Sequence, residues 1–142
     1  MASYHDFCGI PSCGGIILVV DNMPIFRRLI SRALEARGYR VALAENGQVA
    51  VDALAEIKPD LVVMDIAMPV MDGLEATRRI RVLDGAVSRT PIVGFSGQDE
   101  FEDREKCLEA GMNDFVSKCG GAEVLIAAVE ECMAAVTIRA AG

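Results

Sequence analysis

Short apolar runs alternate along this chain with segments of helical period, and this alternation restricts the fold more than any other feature of the sequence. The runs predict strands at residues 16–20, 41–44, 61–64, 92–95 and 115–116. A run that is apolar at every position, such as IILVV at 16–20, is typical of a parallel strand covered on both faces. The sequence therefore predicts an α/β fold, with an open parallel sheet between helices and right-handed crossovers.

Helix signals mark the segments between these runs. Pro24 suits a first helical turn, and Gly38 predicts the end of that helix. Asn46 is a predicted N-cap, and Asp72 followed by Glu75 predicts a start that resembles a capping box. Five helices are thus predicted, over about residues 24–37, 46–57, 72–83, 99–110 and 122–138. Each follows a predicted strand, which gives five strand–helix units in one domain.

The composition and the net charge of the chain argue against several classes of function. The chain has 142 residues, of which 52% are hydrophobic, enough for one domain with a buried core. Its net charge of -7 argues against a nucleic-acid partner, because a phosphate backbone attracts a basic surface. The one histidine, His5, precedes the first predicted strand, which argues against triads and metal sites that use a histidine of the folded body. Five irregularly spaced cysteines predict a reduced, intracellular chain.

The N-terminal segment carries no targeting signal. Residues 1–15 lack a basic start and a continuous apolar core, so we expect a poorly ordered leader there and a single domain over residues 16–142. His5, Cys8 and Cys13 in this leader lack the fourth ligand and the spacing of a zinc site. The last predicted helix is too short and too charged to span a bilayer. We therefore expect a cytoplasmic protein without a membrane partner.

Polar side chains follow four of the five predicted strands. Asp21 and Asn22 come directly after the first strand, and Asp65 comes after the third. Ser96 follows the fourth strand, and Lys118 lies just beyond the fifth. The carboxyl ends of parallel strands share one edge of the sheet, which is where such folds bind ligands. We therefore expect two carboxylates, an amide, a hydroxyl and an ammonium to converge there.

This set of groups suits a phosphoryl group and a hard cation. Mg²⁺ prefers oxygen ligands from one or two carboxylates, together with phosphate and water. The expected Mg²⁺ ligands are Asp21, Asn22, Asp65 and the backbone carbonyl of Ala67. Lys118 and Ser96 suit phosphoryl oxygens, as a point charge and as a hydrogen-bond donor. An aspartate can itself attack phosphorus and form an aspartyl phosphate.

Four linked motifs resemble the receiver domain of two-component response regulators. They are ILVVDN at 17–22, VVMDIAMPVMDG at 62–73, PIVGFSG at 91–97 and NDFVSK at 113–118. Their order and spacing match over roughly residues 16–138, and four linked motifs are far more specific than one. Two segments, MPVMDGLEATRRIR and DREKCLEAGMNDF, are especially similar in sequence to those of receivers attached to hybrid histidine kinases.

The resemblance implies a fold, a reaction and residue roles. It implies a five-stranded flavodoxin-like sheet of order 2-1-3-4-5 and a signalling domain rather than an enzyme. A histidine kinase or a histidine phosphotransfer protein is the implied phosphoryl donor, and Mg²⁺ the implied cofactor. Asp65 is the implied phosphoacceptor, Asp21 lies in the acidic Mg²⁺ pocket, and Lys118 contacts the phosphoryl group. Ser96 is the implied switch hydroxyl and Phe115 the switch aromatic, whose rearrangement is a population shift between two packings.

Departures from the family pattern add three expectations. Asn22 stands where the family usually has a second acidic residue, so we expect weak Mg²⁺ binding and slow phosphorylation. Cys119 replaces the usual proline after Lys118, so we expect a trans peptide bond there and a displaced Lys118 loop, made flexible by the two glycines that follow. The sequence has no output domain after Gly142, so we expect a stand-alone receiver that acts through partners.

Two alternatives to a phosphoacceptor follow from the same residues. Asn22 and Cys119 are consistent with a pseudo-receiver, a protein-binding module that works without phosphorylation. A flavodoxin-like enzyme or FMN carrier has less support, because no strand-end loop resembles a glycine-rich or Ser/Thr-rich phosphate-binding loop. Met23 and Pro24 lie beside the expected site, either as a partner-docking patch or as an ordinary helix start.

Overall fold

The computed structural model describes residues 15–97 and 101–141, and their strands form one parallel sheet. The strands are β1 (Ile16–Val20), β2 (Arg40–Ala44), β3 (Leu61–Asp65), β4 (Ile92–Ser96) and β5 (Asp114–Ser117). Their spatial order is β2-β1-β3-β4-β5, and every neighbouring pair is parallel. The predicted α/β fold and strand order are therefore confirmed, and the carboxyl ends of all five strands meet at one edge.

Five helices connect the strands. They are α1 (Pro24–Glu35), α2 (Gly47–Ile57), α3 (Gly73–Arg81), α4 (Phe101–Ala110) and α5 (Gly121–Ala141). The predicted N-caps of α2 and α3 are confirmed: Asn46 Oδ1 accepts from the Val49 N–H at 2.9 Å, and Asp72 Oδ1 accepts from the Glu75 N–H at 2.8 Å. These two caps fix where α2 and α3 begin, beside the carboxyl-terminal edge of the sheet.

The predictions for α3 and α4 have different outcomes. The predicted extension of α3 to Leu83 is wrong, because the helix ends at Arg81 and the Val82 N–H bonds back to the carbonyls of Arg79 and Ile80, which tightens the last turn. A short 3₁₀ turn at Ala86–Arg89 follows instead. The predicted cap of α4, Asp99, lies outside the described residues.

The core has two halves, one on each face of the sheet. Leu18 and Val20 of β1 point into the half formed with α2, α3 and α4, whereas Ile17 and Val19 point into the half formed with α1 and α5. All four side chains are at most 1% exposed. This alternation on a central strand explains why the run is apolar at every position.

The predicted leader and domain boundary stay predictions. Residues 1–14, including His5, Cys8 and Cys13, lie outside the described part of the chain. Within the described residues, no helix combines the length and the apolar character that crossing a membrane requires.

Candidate functional site

Three of the predicted charged groups meet at the carboxyl edge of the sheet. Asp21 follows β1 and Asp65 ends β3, and their residues are only 1% and 3% exposed. Lys118, which follows β5, places its Nζ 3.1 Å from Asp21 Oδ2 and 3.6 Å from Asp65 Oδ1. The strand order brings them together, because β1 and β3 are neighbours and the loop after β5 reaches across β4. The site is a buried pair of carboxylates with one ammonium between them.

The electrostatics of the site centre on Asp65. Burial, and next the negative charge of Asp21, raise the pKa of Asp65 to about 6, although Lys118 and a hydrogen bond from the Ala67 backbone act in the opposite direction. One ammonium therefore does not fully neutralise two buried carboxylates. Perturbation by burial plus a like charge is typical of functional carboxylates.

The loop between β3 and α3 is fixed through its backbone. The Gly73 N–H donates to the Ile66 carbonyl at 2.9 Å, and a Cβ on Gly73 would collide with the backbone carbonyl oxygen of Asp65. Val70 has a φ of +69°, and the Met71 N–H donates to the Pro69 carbonyl at 2.7 Å, which closes a three-residue turn around Val70. A β-branched residue in that region is strained.

The loop after β5 is not displaced from the site, so that expectation is wrong. Lys118–Gly120 form a single 3₁₀ turn, and the Ser117 hydroxyl oxygen accepts from the Cys119 N–H at 3.1 Å. The peptide bond between Lys118 and Cys119 is trans, as predicted. The ammonium still reaches both carboxylates, because attraction to Asp21 and Asp65 draws the long side chain inward.

The two predicted switch residues are both buried. Ser96 ends β4 and is 3% exposed; its neighbour Phe95 pairs with Asp65 in the parallel register of β3 and β4. Phe115 of β5 is 4% exposed, and the Arg104 guanidinium of α4 lies 5.9 Å from its ring centroid. Arg104 also donates to the Phe115 carbonyl oxygen at 3.2 Å. In this structure the aromatic ring is therefore inward, under a contact from α4.

Sequence reasoning missed two aromatic neighbours of Lys118. The Lys118 Nζ lies 4.3 Å from the ring centroid of Phe26 and 5.4 Å from that of Phe95. Phe26 lies with Ile30 on the apolar stripe of α1, and Phe95 lies in an apolar strand, so their positions in the sequence are those of core residues. The signal available was position: Phe95 immediately precedes Ser96 at the same sheet edge.

The residues around Asp65 provide some of the oxygen ligands that a hard divalent cation needs. Asp21 and Asp65 are two buried carboxylates with incomplete neutralisation, which a cation would relieve. Among the described residues no group of three His, Cys, Asp or Glu side chains is arranged to hold a metal. Asn22 and Ala67, the other predicted ligands, are both exposed at the rim. The chain thus offers the few carboxylates that suit Mg²⁺, which keeps several waters.

Two comparisons of sequence identify relatives of this chain. Residues 17–130 match the family model of the response regulator receiver domain. Response regulator MprA of Mycolicibacterium vanbaalenii is 38% identical over 111 residues, which cover 78% of this chain and 47% of that protein. Sensor histidine kinase RcsC of Salmonella typhimurium is 40% identical over 103 residues, which cover 72% of this chain and 10% of the kinase. The chain spans about half the length of the first relative and about a tenth of the second.

Solved receiver structures share the fold. The receiver domain of a sensor histidine kinase from Pseudomonas aeruginosa PAO1, solved with a magnesium ion in its active-site cleft, has a TM-score of 0.78 and 34% identity. That match covers 86% of this chain and 99% of the other. The receiver domain of a histidine kinase from Syntrophus aciditrophicus has a TM-score of 0.77 and 30% identity, and the match covers 86% and 92%. The likeness therefore extends over nearly the whole of both solved domains.

Proposed function

This chain belongs to the response regulator receiver domain family, and on that premise we propose that it accepts a phosphoryl group on Asp65 from a phosphohistidine of a histidine kinase or a histidine phosphotransfer protein. The observation that carries the proposal is the contact of Lys118 with both buried carboxylates. A buried aspartate beside a second carboxylate and an ammonium suits a reaction in which charge moves, because carboxylates perturbed by burial and by a neighbouring charge cluster at functional sites.

The proposed reaction is a phosphoryl transfer between two nucleophiles. An oxygen of the Asp65 carboxylate forms a bond to phosphorus while the bond from phosphorus to the donor's imidazole nitrogen breaks, and that nitrogen keeps the electron pair. With a pKa of about 6, Asp65 is mostly ionised at neutral pH and able to attack. Lys118 and the Ser96 hydroxyl are the proposed partners of the phosphoryl oxygens, which are the atoms that carry the charge in such transfers.

Mg²⁺ is the proposed cofactor, and its proposed ligands are those expected from the sequence. They are Asp21, Asn22, Asp65 and the backbone carbonyl of Ala67. When bound, the ion supplies positive charge that offsets the negative charge of the phosphoryl oxygens. The Ala67 N–H already donates to the Asp65 carboxylate, so the backbone on which that carbonyl lies is tied to the site.

Asn22 lowers the affinity expected for the cation. An amide oxygen can ligate but carries no charge, and the gross Coulomb energy of one lost charge is at most about 4 kcal/mol at 4 Å and an effective dielectric constant of 20. We expect Asn22→Asp to bind Mg²⁺ more tightly in calorimetric titrations without phosphodonor. Equal affinity of the two proteins would overturn this part of the proposal.

The consequence of phosphorylation is proposed to pass through Ser96 and Phe115 to the surface of α4, β5 and α5. A phosphoryl group on Asp65 would draw the Ser96 hydroxyl towards it and bias the packing of the neighbouring strand. Phe115 is already inward here, so phosphorylation would stabilise this packing rather than create it. A cytoplasmic location and action without an attached output domain stay predictions, which fractionation of cells and an immunoblot of the native protein test.

Labelling with a small phosphodonor tests the proposed function. The protein is incubated with Mg²⁺ and the donor, and the intact mass is examined for an adduct that survives acid and is lost in base. We expect a single phosphoryl group on the wild type, a larger fraction on Asn22→Asp, and none on Asp65→Asn. Absence of the adduct from the wild type together with labelling of Asn22→Asp would favour the pseudo-receiver.

Asn22 supports that second candidate. It is an uncharged amide where the family usually has a second acidic residue, so Asp21 and Asp65 are the two carboxylates that the site offers to a cation. A protein-binding module without phosphorylation needs no stronger cation site than this. The pseudo-receiver predicts partner binding that Asp65→Asn leaves unchanged, whereas the phosphoacceptor predicts binding that changes with phosphorylation.

A further inference from the structure

The ammonium of Lys118 lies close both to carboxylates and to aromatic rings. Its Nζ contacts Asp21 Oδ2 at 3.1 Å, and it lies 4.3 Å from the centroid of Phe26 and 5.4 Å from that of Phe95. The side chain is 11% exposed, so water covers little of it. The face of an aromatic ring carries negative charge density and attracts a cation, most strongly where water is excluded.

The backbone of the loop does little to place this ammonium. After Lys118 come an exposed cysteine and two exposed glycines. The backbone of this turn donates to a neighbouring side chain through the Cys119 N–H, which bonds to the Ser117 hydroxyl oxygen. Gly121 has a φ of +79° and open space around its Cα. The position of Nζ therefore depends on the contacts at the tip of the side chain.

The two rings, by contrast, are held by the fold. Phe95 is 3% exposed in β4 and pairs with Asp65 in the strand register. Phe26 lies in the first turn of α1, which is tied to the end of β1: the Arg27 guanidinium donates to the Asp21 carbonyl at 2.6 Å, and the Met23 N–H donates to Asp21 Oδ1 at 2.9 Å. The same contacts that fix Asp21 thus fix the ring of Phe26.

We propose that Phe26, assisted by Phe95, is a positioning residue that holds the Lys118 ammonium between Asp21 and Asp65 through a cation–π contact. The proposal rests on the proposed function in one respect: the held ammonium is the group that binds phosphoryl oxygens during transfer to Asp65. A core role alone would make any apolar residue of similar size equivalent to Phe26. The proposed role requires an aromatic face.

Three replacements at position 26 separate these roles. Phe26→Leu keeps an apolar side chain and removes the ring, whereas Phe26→Tyr keeps the ring face. A trifluorinated phenylalanine at position 26 keeps the shape but weakens the negative face of the ring. Leu29→Ala is the matched control, since Leu29 lies on the same helix and is 52% exposed. Thermal unfolding of each protein shows whether it is folded.

The first readout is the NMR signal of the Lys118 ε-methylene, assigned by its loss in Lys118→Arg. A ring 4.3 Å from Nζ shifts the attached methylene protons upfield. We expect that shift in the wild type, in Phe26→Tyr and in Leu29→Ala, and a much smaller one in Phe26→Leu, where only the more distant ring of Phe95 remains. A wild-type signal without an upfield shift, or a shift that Phe26→Leu retains in full, overturns the proposal. This readout needs no phosphorylation, so it stands apart from the proposed function.

The second readout is the rate of labelling by the small phosphodonor with Mg²⁺. We expect Phe26→Leu to be slower by roughly 5- to 30-fold, the range that a desolvated cation–π contact gives. Phe26→Tyr and Leu29→Ala should label at the wild-type rate, and the trifluorinated protein at an intermediate one. Equal rates for Phe26→Leu and wild type overturn the positioning role. A wild type that shows the NMR shift but never labels contradicts the proposed function and leaves the contact established.

Discussion

The two loops that surround Asp65 hold their residues in opposite ways. Residues 66–72 after β3 are fixed by backbone contacts, including the bond from the Gly73 N–H to the Ile66 carbonyl at 2.9 Å and that from the Gly47 N–H to the Met71 carbonyl at 3.3 Å. Residues 118–121 after β5 form one short turn, and the tip of Lys118 is fixed by carboxylates and rings. The first loop should tolerate no added backbone volume, whereas the second should be sensitive only at the lysine tip.

The two loops should differ most in how an added methyl group changes the free energy of unfolding. Gly73→Ala should lower the free energy of unfolding by about 3 kcal/mol, because its Cβ would meet the carbonyl oxygen of Asp65 and the backbone of Ile66. Gly120→Ala should change it by less than about 0.5 kcal/mol, because the atoms nearest to its Cβ would belong to the exposed side chain of Val124 and not to the backbone. Urea unfolding of both proteins measures this, and equal losses would remove the contrast between the loops.

Asp65 lies between the two loops. Its titration tests whether the charge of its carboxylate is incompletely neutralised by the groups around it. Its pKa of about 6 in the folded protein exceeds the ordinary 3.8, so protonation stabilises the fold: this stability is complete below about pH 4 and is lost as the pH rises through 6. In metal-free buffer at pH 7, the free energy of unfolding of Asp65→Asn should therefore be about 2–3 kcal/mol higher than that of the wild type. This difference should become smaller towards pH 4. A difference that does not vary with pH would mean that Lys118 fully compensates Asp65.

Removing the ammonium tests the second loop at its tip. Lys118→Met should lower the free energy of unfolding at pH 7 by about 1–2 kcal/mol, because two buried carboxylates then repel each other without a cation. The loss should be smaller at pH 5, where Asp65 is mostly protonated. Cys119→Ser, an exposed neighbour in the same turn, is the control and should stay within about 0.5 kcal/mol of the wild type. Denaturation at the two pH values measures both effects.

The smallest expected change in the free energy of unfolding comes from relieving the strained turn of the first loop at Val70. Val70→Gly should raise the free energy of unfolding by about 0.5 kcal/mol, because relief of a positive φ in a β-branched residue exceeds the entropic cost of glycine. Val82→Gly is the matched control: Val82 is 80% exposed, close to the 82% of Val70, but its φ is -102°. The control should be destabilised. Destabilisation of Val70→Gly as well would show that the turn stores no strain.

Sequence patterns predicted the framework of the site because they report on single elements. The apolar runs, the caps at Asn46 and Asp72 and the rule that strand ends share an edge placed Asp21, Asp65 and Lys118 together. The expected displacement of the loop that carries Lys118 was wrong, because the composition of the turn indicated flexibility whereas the contacts of the lysine tip come from other elements. Contacts between distant elements leave no local pattern in the sequence.

The contacts of Phe26 and Arg81 likewise could not be predicted from local sequence patterns. Phe26 fits the apolar stripe of α1, so nothing in its spacing distinguished a core residue from one that faces an ammonium. Arg81 donates hydrogen bonds to the carbonyls of Gly111, Ser88 and Thr90 and so joins α3 to the segments on either side of β4. A basic side chain is favourable in the last turn of any exposed helix, so nothing in the sequence marks the contacts of Arg81.

Mapping the phosphorylated residue tests whether Asp65 is the phosphoacceptor. The protein is labelled by a small phosphodonor with Mg²⁺, the acyl phosphate is reduced with borohydride, and peptides are sequenced by mass spectrometry. We expect a reduced residue at Asp65 and at no other aspartate, with none in Asp65→Asn. Modification mapped to another residue, or labelling that persists in Asp65→Asn, would contradict the assignment of Asp65 as the phosphoacceptor.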